Sequence, residues 1–252
     1  MTKGNKHKMI VALIISLFVL GLIYVFCPYR PEYYGYSNKV LAHRVNSLEK
    51  LAFAEKFYAG VELDLMYNIN THSFDVNHPP APSIGLDLET YLSHIKNKNI
   101  KLWLDIKNIS KENAADAAQS LSKQITNAGI NKKNILVESP EIPYLYFFKD
   151  EGFKTSFYLP YFLYKKDKQT LSKTIDSLKS LKEQYSSDGI SADVLNYDIL
   201  NQYFKKDKKF LWAIYPSYSR HQINNYTNFR KYASDPTVEI ILVKVALPIG
   251  ER

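Results

Sequence analysis

Glu62-Leu63-Asp64 sets two carboxylates two residues apart inside an apolar run, Val61 to Met66, that reads as a β-strand. Side chains at that spacing share one face of a strand. Carboxylates held side by side in an interior repel each other and lose hydration, a cost that a cation between them removes. Asp105, in the run Leu102 to Ile106, offers a third oxygen from a neighbouring strand. An all-oxygen set suits a hard divalent ion, Mg2+ or Ca2+, and the single cysteine, Cys27, excludes a zinc site built on thiolates. The competing reading of the trio is a salt-bridge network with Arg44 and Lys107 that closes the mouth of a barrel.

His43 and His78 supply groups that titrate near neutral pH, one able to take a proton from a nucleophile and the other to give one to a leaving alkoxide. Arg44 and Lys107 could neutralise a bound phosphate, and Asn46 could donate to a phosphoryl oxygen or orient His43. For Asn46 and Lys107, ordinary surface pairing is an equal alternative. His72, His94 and His221 read as core or surface residues. Trp212, in Phe210-Leu211-Trp212-Ala213-Ile214, could wall a pocket, although a core tryptophan is the commoner role.

These residues need strands to carry them. Short apolar runs occur at Val40 to His43, Val61 to Met66, Leu102 to Ile106, Ile135 to Val137, Thr155 to Leu159, Ile190 to Val194, Phe210 to Tyr215 and Val238 to Val243. Amphipathic helical patterns fall between them, as at Ser47 to Phe57, Leu86 to Lys96, Lys111 to Ala128 and Lys168 to Tyr185. Strand and helix alternating at this count predict the α/β class and a single TIM-type (β/α)8 barrel over residues 40–252. The proposed site residues then gather at the C-terminal ends of the strands, where barrels of this kind place their chemistry.

Ahead of the barrel, Met9 to Cys27 carries no charge and is about long enough to cross a bilayer as one helix. Lys3, Lys6, His7 and Lys8 precede it, which predicts a cytoplasmic N-terminus (1–8), a transmembrane signal anchor (9–27), a juxtamembrane linker (28–39) and an extracytoplasmic barrel. No small-residue cleavage site follows the apolar run, which favours an anchor over a removed signal peptide. In the linker, tyrosines are expected at the headgroup level. The 252-residue chain has 33 Lys plus Arg against 25 Asp plus Glu, a formal charge of +8, which favours anionic partners such as phosphate esters or lipid headgroups. The lysines are scattered rather than clustered, and no nucleic-acid-binding signature is present, so nucleic acid is not an expected partner. Nothing in the sequence sets an oligomeric state.

In order and type, His43-Arg44, Glu62-Leu63-Asp64, His78 and Asp105-Ile106-Lys107 resemble the phospholipase C-like phosphodiesterase superfamily and its glycerophosphodiesterase branch. His43-Arg44-Val45-Asn46-Ser47 and Asn77-His78-Pro79-Pro80 resemble still more closely the menorin family, a divergent branch. The motif-rich likeness spans about Val40 to Lys107. Val45 and Pro79 depart from the glycine and aspartate usual in glycerophosphodiesterases, so the identity of the substrate within its class does not carry over. The resemblance implies a metal at Glu62, Asp64 and Asp105, acid and base roles for His43 and His78, and hydrolysis of a glycerophosphodiester or a phospholipid-headgroup type substrate. It equally admits a non-catalytic extracytoplasmic binding module. A barrel glycosidase using Glu62 and Asp64 is the weakest expectation, because carboxylates on adjacent same-face positions of one strand seldom straddle a sugar bond.

Overall fold

The computed structural model describes residues 3–26, 30–213 and 226–245, with side chains for 6–21 and for the latter two stretches. A helix, Lys3–Phe26 (α1), comes first. There follow Val40–His43 (β1), Leu48–Ala54 (α2), Gly60–Asn68 (β2), Ser73–Val76 (β3), Leu88–Ser93 (α3), Lys101–Ile106 (β4) and Ala114–Asn127 (α4). The second half runs Ile135–Glu138 (β5), Tyr146–Asp150 (α5), Lys154–Tyr158 (β6), Lys168–Gln184 (α6), Gly189–Asp193 (β7), Tyr197–Tyr203 (α7), Lys209–Trp212 (β8), Tyr226–Ala233 (α8) and Val238–Lys244 (β9).

The strands lie in the order β1-β9-β8-β7-β6-β5-β4-β2, and β1 also pairs with β2, so eight parallel strands close on themselves. The expected barrel is therefore present. One element departs from expectation: β3 folds back antiparallel on β2, pairing Leu65 with Val76 and Asn68 with Ser73. This hairpin brings the segment carrying His78 back over the mouth. The expected strand Phe210 to Tyr215 ends at Trp212, and residues 214–225, including His221, lie outside those described.

Alternation on the strands sorts the two faces of the barrel wall. Val61, Leu63, Leu65, Leu102 and Leu104 point outward into a core shared with Ala117, Ala118 and Leu121 of α4. Leu41, Trp103, Leu136, Phe210 and Leu242 point inward and fill the lower barrel. Above that apolar plug the inward positions turn polar: His43, Asp64, Asp105 and Glu138. Gly60 opens β2 because β4 runs close by, and a side chain there would place its Cβ 2.2 Å from the Lys101 carbonyl oxygen. The helices start on caps that satisfy free N–H groups, Ser47 for α2, Asp87 for α3 and Asp167 for α6.

The segment expected as a juxtamembrane linker packs on the barrel over residues 30–39. Tyr33 is buried with its ring 4.8 Å from that of Phe229, Arg230 lies 4.5 Å from the centre of the Tyr36 ring, and Arg230 Nη1 donates to the Tyr34 carbonyl at 2.7 Å. Lys39 Nζ donates to the carbonyls of Ala233 and Asp235. Tyr33 and Tyr36 are thus held by α8, while Tyr34 is exposed. Among the described residues no helix is long and apolar enough to cross a membrane. Residues 27–29 of the expected anchor and linker lie outside the described ones, as do the side chains of 22–26.

Candidate functional site

His43 closes β1, and Arg44 directly after it adopts a left-handed backbone, φ 56°. For a residue with a Cβ that costs about 1 kcal/mol. The turn aims the Arg44 N–H at Glu62 Oε2, 2.6 Å away, and the Val45 N–H at the Glu62 carbonyl, 2.8 Å away. Asn46 then clamps the next carboxylate twice. Its Nδ2 donates to Asp64 Oδ2 at 2.7 Å, and its Oδ1 accepts from the Asp64 N–H at 3.0 Å. Asn46 is thereby a holder of Asp64 rather than a partner of His43. The buried Tyr91 hydroxyl fixes the turn from behind by donating to the Val45 carbonyl at 2.9 Å.

Register carries the third carboxylate into place, because Asp64 pairs with Asp105 across β2 and β4. Glu62, Asp64 and Asp105 each offer a carboxylate oxygen, all within 4.8 Å of one another. Glu62 and Asp64 are buried and Asp105 is half-buried, so the set could hold a metal ion. Burial first, then Asp64 and Asp105, push Glu62 well above the usual carboxylate range, and burial likewise raises Asp105. Both shifts express a negative charge in want of a cation. Lys107 answers part of it, with Nζ 2.8 Å from Asp64 Oδ1 and a second ion pair to Asp105. Burial pulls the Lys107 ammonium down, but Asp105 and Asp64 more than offset it, and its pKa is raised.

His43 Nε2 lies 3.7 Å from Glu62 Oε2, and His78 Nε2 lies 3.9 Å from Asp64 Oδ1, so the two histidines flank the trio. Burial, helped by Arg44, drives His43 down to about 3, which leaves a neutral imidazole through the physiological range. Arg44 Nη2 stands 3.1 Å from His78 Nε2. A guanidinium can only donate, so in this contact Nε2 is placed as the acceptor.

His43, Arg44, Glu62, Asp64, His78, Asp105 and Lys107 line one cavity of about 320 Å³, shared with Trp103, Glu138, Tyr158, Tyr161, Trp212 and Leu242. Among these, Glu138 is the acidic residue that sequence reasoning passed over, as it did the aromatic Trp103, Tyr158 and Tyr161. It ends β5 at the level of Asp105, is buried, and accepts from Ser156 Oγ at 2.9 Å. Burial and then Asp105 raise it to about 8. The signal was available: Leu136 and Glu138 share a face two residues apart, and the strand was expected to stop at Val137. Trp212 belongs to the cavity wall, with Tyr158 and Tyr161 stacked nearly parallel to it at 6.1 and 5.8 Å between ring centroids. The indole N–H groups of Trp103 and Trp212 are buried without an acceptor among the described residues. His72 pairs with Asp116 at the surface and His94 is exposed, both away from the cavity, as expected.

No family model matches the sequence, and no curated protein matches it. Solved structures do resemble the fold. A glycerophosphodiester phosphodiesterase from Thermotoga maritima is 16% identical with a TM-score of 0.56, over 82% of this chain and 94% of that one. One from Parabacteroides distasonis is 17% identical with a TM-score of 0.57, over 82% and 92%. An Oleispira antarctica phosphodiesterase, in complex with the product sn-glycerol-3-phosphate, is 12% identical with a TM-score of 0.56, over 84% and 95%. At these identities the likeness establishes the architecture: a (β/α)8 barrel of the form these phosphodiesterases share.

Proposed function

We propose that the chain is a phosphoric diester hydrolase acting on a glycerophosphodiester or a phospholipid-headgroup type substrate with the help of Mg2+ or Ca2+. One observation carries the reading: two histidines and three converging carboxylates border a single cavity together with Arg44 and Lys107. The structural neighbours named as phosphodiesterases support it.

Glu62, Asp64 and Asp105 would hold the ion, a hard cation suited to their oxygens. When bound, a divalent cation withdraws electron density from the phosphoryl group and makes an attached hydroxyl or water easier to deprotonate. His43, neutral at rest, takes the proton from the attacking hydroxyl, either a neighbouring hydroxyl of the substrate or a water. His78, on the opposite flank of the trio, gives a proton to the departing alkoxide oxygen. Arg44 and Lys107 balance the charge on the phosphoryl oxygens, and Asn46 keeps Asp64 oriented. The test is a panel of glycerophosphodiesters assayed with Mg2+, Ca2+ and chelator. Ion-dependent release of a phosphomonoester that His43→Ala abolishes in a folded protein supports the assignment, and no turnover of any diester with any ion overturns it.

A second reading is a non-catalytic, menorin-like binding module. It is favoured by the pairing of Lys107 with Asp64 and Asp105 and of Arg44 with His78, which satisfies these groups without a ligand. It requires ligand binding without hydrolysis.

The helix α1 completes the proposal as a single-pass anchor that leaves the barrel on the extracytoplasmic side. Support comes from the uncharged run Met9 to Cys27, the lysines ahead of it, and the solvent-exposed apolar side chains of α1 from Met9 to Leu20. Resistance to alkaline extraction from membranes, lost on deleting residues 1–27, is the expected behaviour.

A further inference from the structure

A recess of about 260 Å³ opens at the foot of the barrel, on the far side of the apolar plug from the mouth. Asn38, Lys39, Lys101, Lys133 and Lys154 border it, and among the described residues its one carboxylate is Glu239. Strand periodicity sends two of the lysines there. Lys101 opens β4 two residues before the inward Trp103, and Lys154 opens β6 two before Ser156, whose hydroxyl reaches inward to Glu138. Side chains at that spacing share a face, so the inward face that carries carboxylates at the mouth carries ammonium groups at the foot. Lys39, directly before β1, and Lys133, in the turn before β5, join them. The four are scattered in the sequence, and closure of the barrel gathers them.

Charge is not balanced in this recess. Glu239 is engaged by Lys208, 2.6 Å away, and none of the four lysines has a carboxylate within ion-pair distance among the described residues. Lys101 Nζ donates to the Asn38 carbonyl at 2.6 Å, and Lys39 Nζ to the carbonyls of Ala233 and Asp235, which leaves donors to spare on both ammonium groups. Burial and then Lys154 pull the Lys101 pKa below its ordinary value, against the opposing pull of Glu239. Like charges set around a hollow focus a positive potential, and an anion entering it relieves their repulsion.

The lining says what kind of anion fits. Ammonium groups are point charges, suited to a compact ion with oxygens on several sides, whereas a planar carboxylate pairs best with the fork of an arginine, and no arginine lines the recess. The volume falls below the about 300 Å³ at which sites for drug-sized ligands begin, so the occupant is a small group.

We infer that Lys39, Lys101, Lys133 and Lys154, with Asn38, form a non-reacting site for a phosphate group at the foot of the barrel. That group is either free in solution or part of an anionic lipid headgroup. Residues 30–39 run onto β1 beside the recess, so the lipid source rests on the reading of α1 as an anchor, whereas the site itself does not.

The test labels the full chain with a water-soluble acylating reagent and follows the exposed Lys133 and Lys154 by mass spectrometry, with the exposed Lys123 of α4 as reference. In one arm the protein is in neutral detergent with chelator, with and without inorganic phosphate. In the other it is reconstituted in phosphatidylcholine vesicles, with and without phosphatidylglycerol. Phosphate at about ten times its dissociation constant is expected to slow labelling of Lys133 and Lys154 about tenfold and to leave Lys123 unchanged. Lys101→Gln should cancel the protection, and Lys154→Glu, at an exposed position that spares the fold, should cancel it at Lys133. Protection by inorganic phosphate supports the site with the free anion as a ligand, and protection by phosphatidylglycerol alone assigns it to lipid headgroups. No protection in either arm, equal slowing of Lys123, or protection that survives both variants overturns the site. A chain that does not stay with the vesicles removes the anchor reading, and the detergent arm then decides the site by itself.

Discussion

Lys107 Nζ lies 2.8 Å from Asp64 Oδ1 while also pairing with Asp105, so one ammonium spans two of the three carboxylates offered to a metal ion. In the absence of the ion it is the main cation holding this acidic cluster together. Lys107→Met is therefore expected to destabilise the ion-free protein by about 3 kcal/mol, the usual cost of leaving a buried charge unpaired. Mg2+ or Ca2+ should recover most of that loss. Urea unfolding with chelator and with each ion checks it, and equal losses in both conditions would refute it.

Ion binding to the native trio should raise stability by about 2.7 kcal/mol when the ion is present at a hundred times its dissociation constant. Asp64→Asn removes one ligand oxygen's charge and keeps the Asn46 clamp nearly isosteric, so it should abolish that rise with little change in the ion-free protein. Thermal unfolding during titration of Mg2+, Ca2+ and Mn2+ reads the effect directly.

The histidines should separate from the carboxylates in their phenotype. His43→Ala and His78→Ala are expected to lower kcat by about 10²- to 10⁴-fold, the usual contribution of a positioned acid or base, while the ion-induced rise in stability persists. Loss of the ion response in either variant would place the histidine among the ligands instead.

Stability of the ion-free protein should pass through a maximum in mildly acid solution. Glu138 is raised from 4.5 to about 8, by burial and then Asp105, so between those values the folded state keeps a proton that the unfolded chain releases, and stability falls as pH rises. Glu62 and Asp105 act in the same direction. His43 works from the other side. Lowered from 6.5 to about 3, chiefly by burial, it leaves the unfolded chain binding the extra proton in that interval, so stability falls as pH drops through it. Chemical denaturation from pH 4 to 9 with chelator tests this, and Glu138→Gln should flatten the alkaline limb.

Gly60→Ala should be among the more damaging single-methyl changes, by about 2 kcal/mol or more, since its Cβ would meet the Lys101 carbonyl oxygen at 2.2 Å and force β2 from β4. The same shift would spread Asp64 from Asp105, so weakened ion affinity should accompany the loss of stability.

Much of this was legible in the residues themselves. Strand runs such as Val40 to His43 and Leu102 to Ile106 are short, nearly continuous apolar stretches that can be read locally, and Glu62 and Asp64 share a face by the two-residue period of a strand alone. Their convergence with Asp105 follows once the strands are adjacent and parallel. What escaped depends on contacts far apart in the chain. The short run Ser73–Val76 becomes a strand because β2 extends past the barrel to Asn68 and offers it an edge. Glu138 becomes a site residue because β5 lies beside β4. Tyr33 and Tyr36 read as interfacial tyrosines, yet α8, nearly two hundred residues on, supplies partners that no local pattern reveals.

The anchoring of residues 30–39 on α8 changes what a tether can do. A flexible leash would let the mouth of the barrel sample every orientation, whereas a segment riveted through Tyr33, Tyr36 and Lys39 acts as a strut that enters the barrel at the foot of β1. The rim that carries His43, Asp64 and Asp105 stands at the other end of the same strands. A protein held from that side would present its opening away from its point of attachment, and would meet its substrates as they approach from the surrounding medium or from an opposing surface.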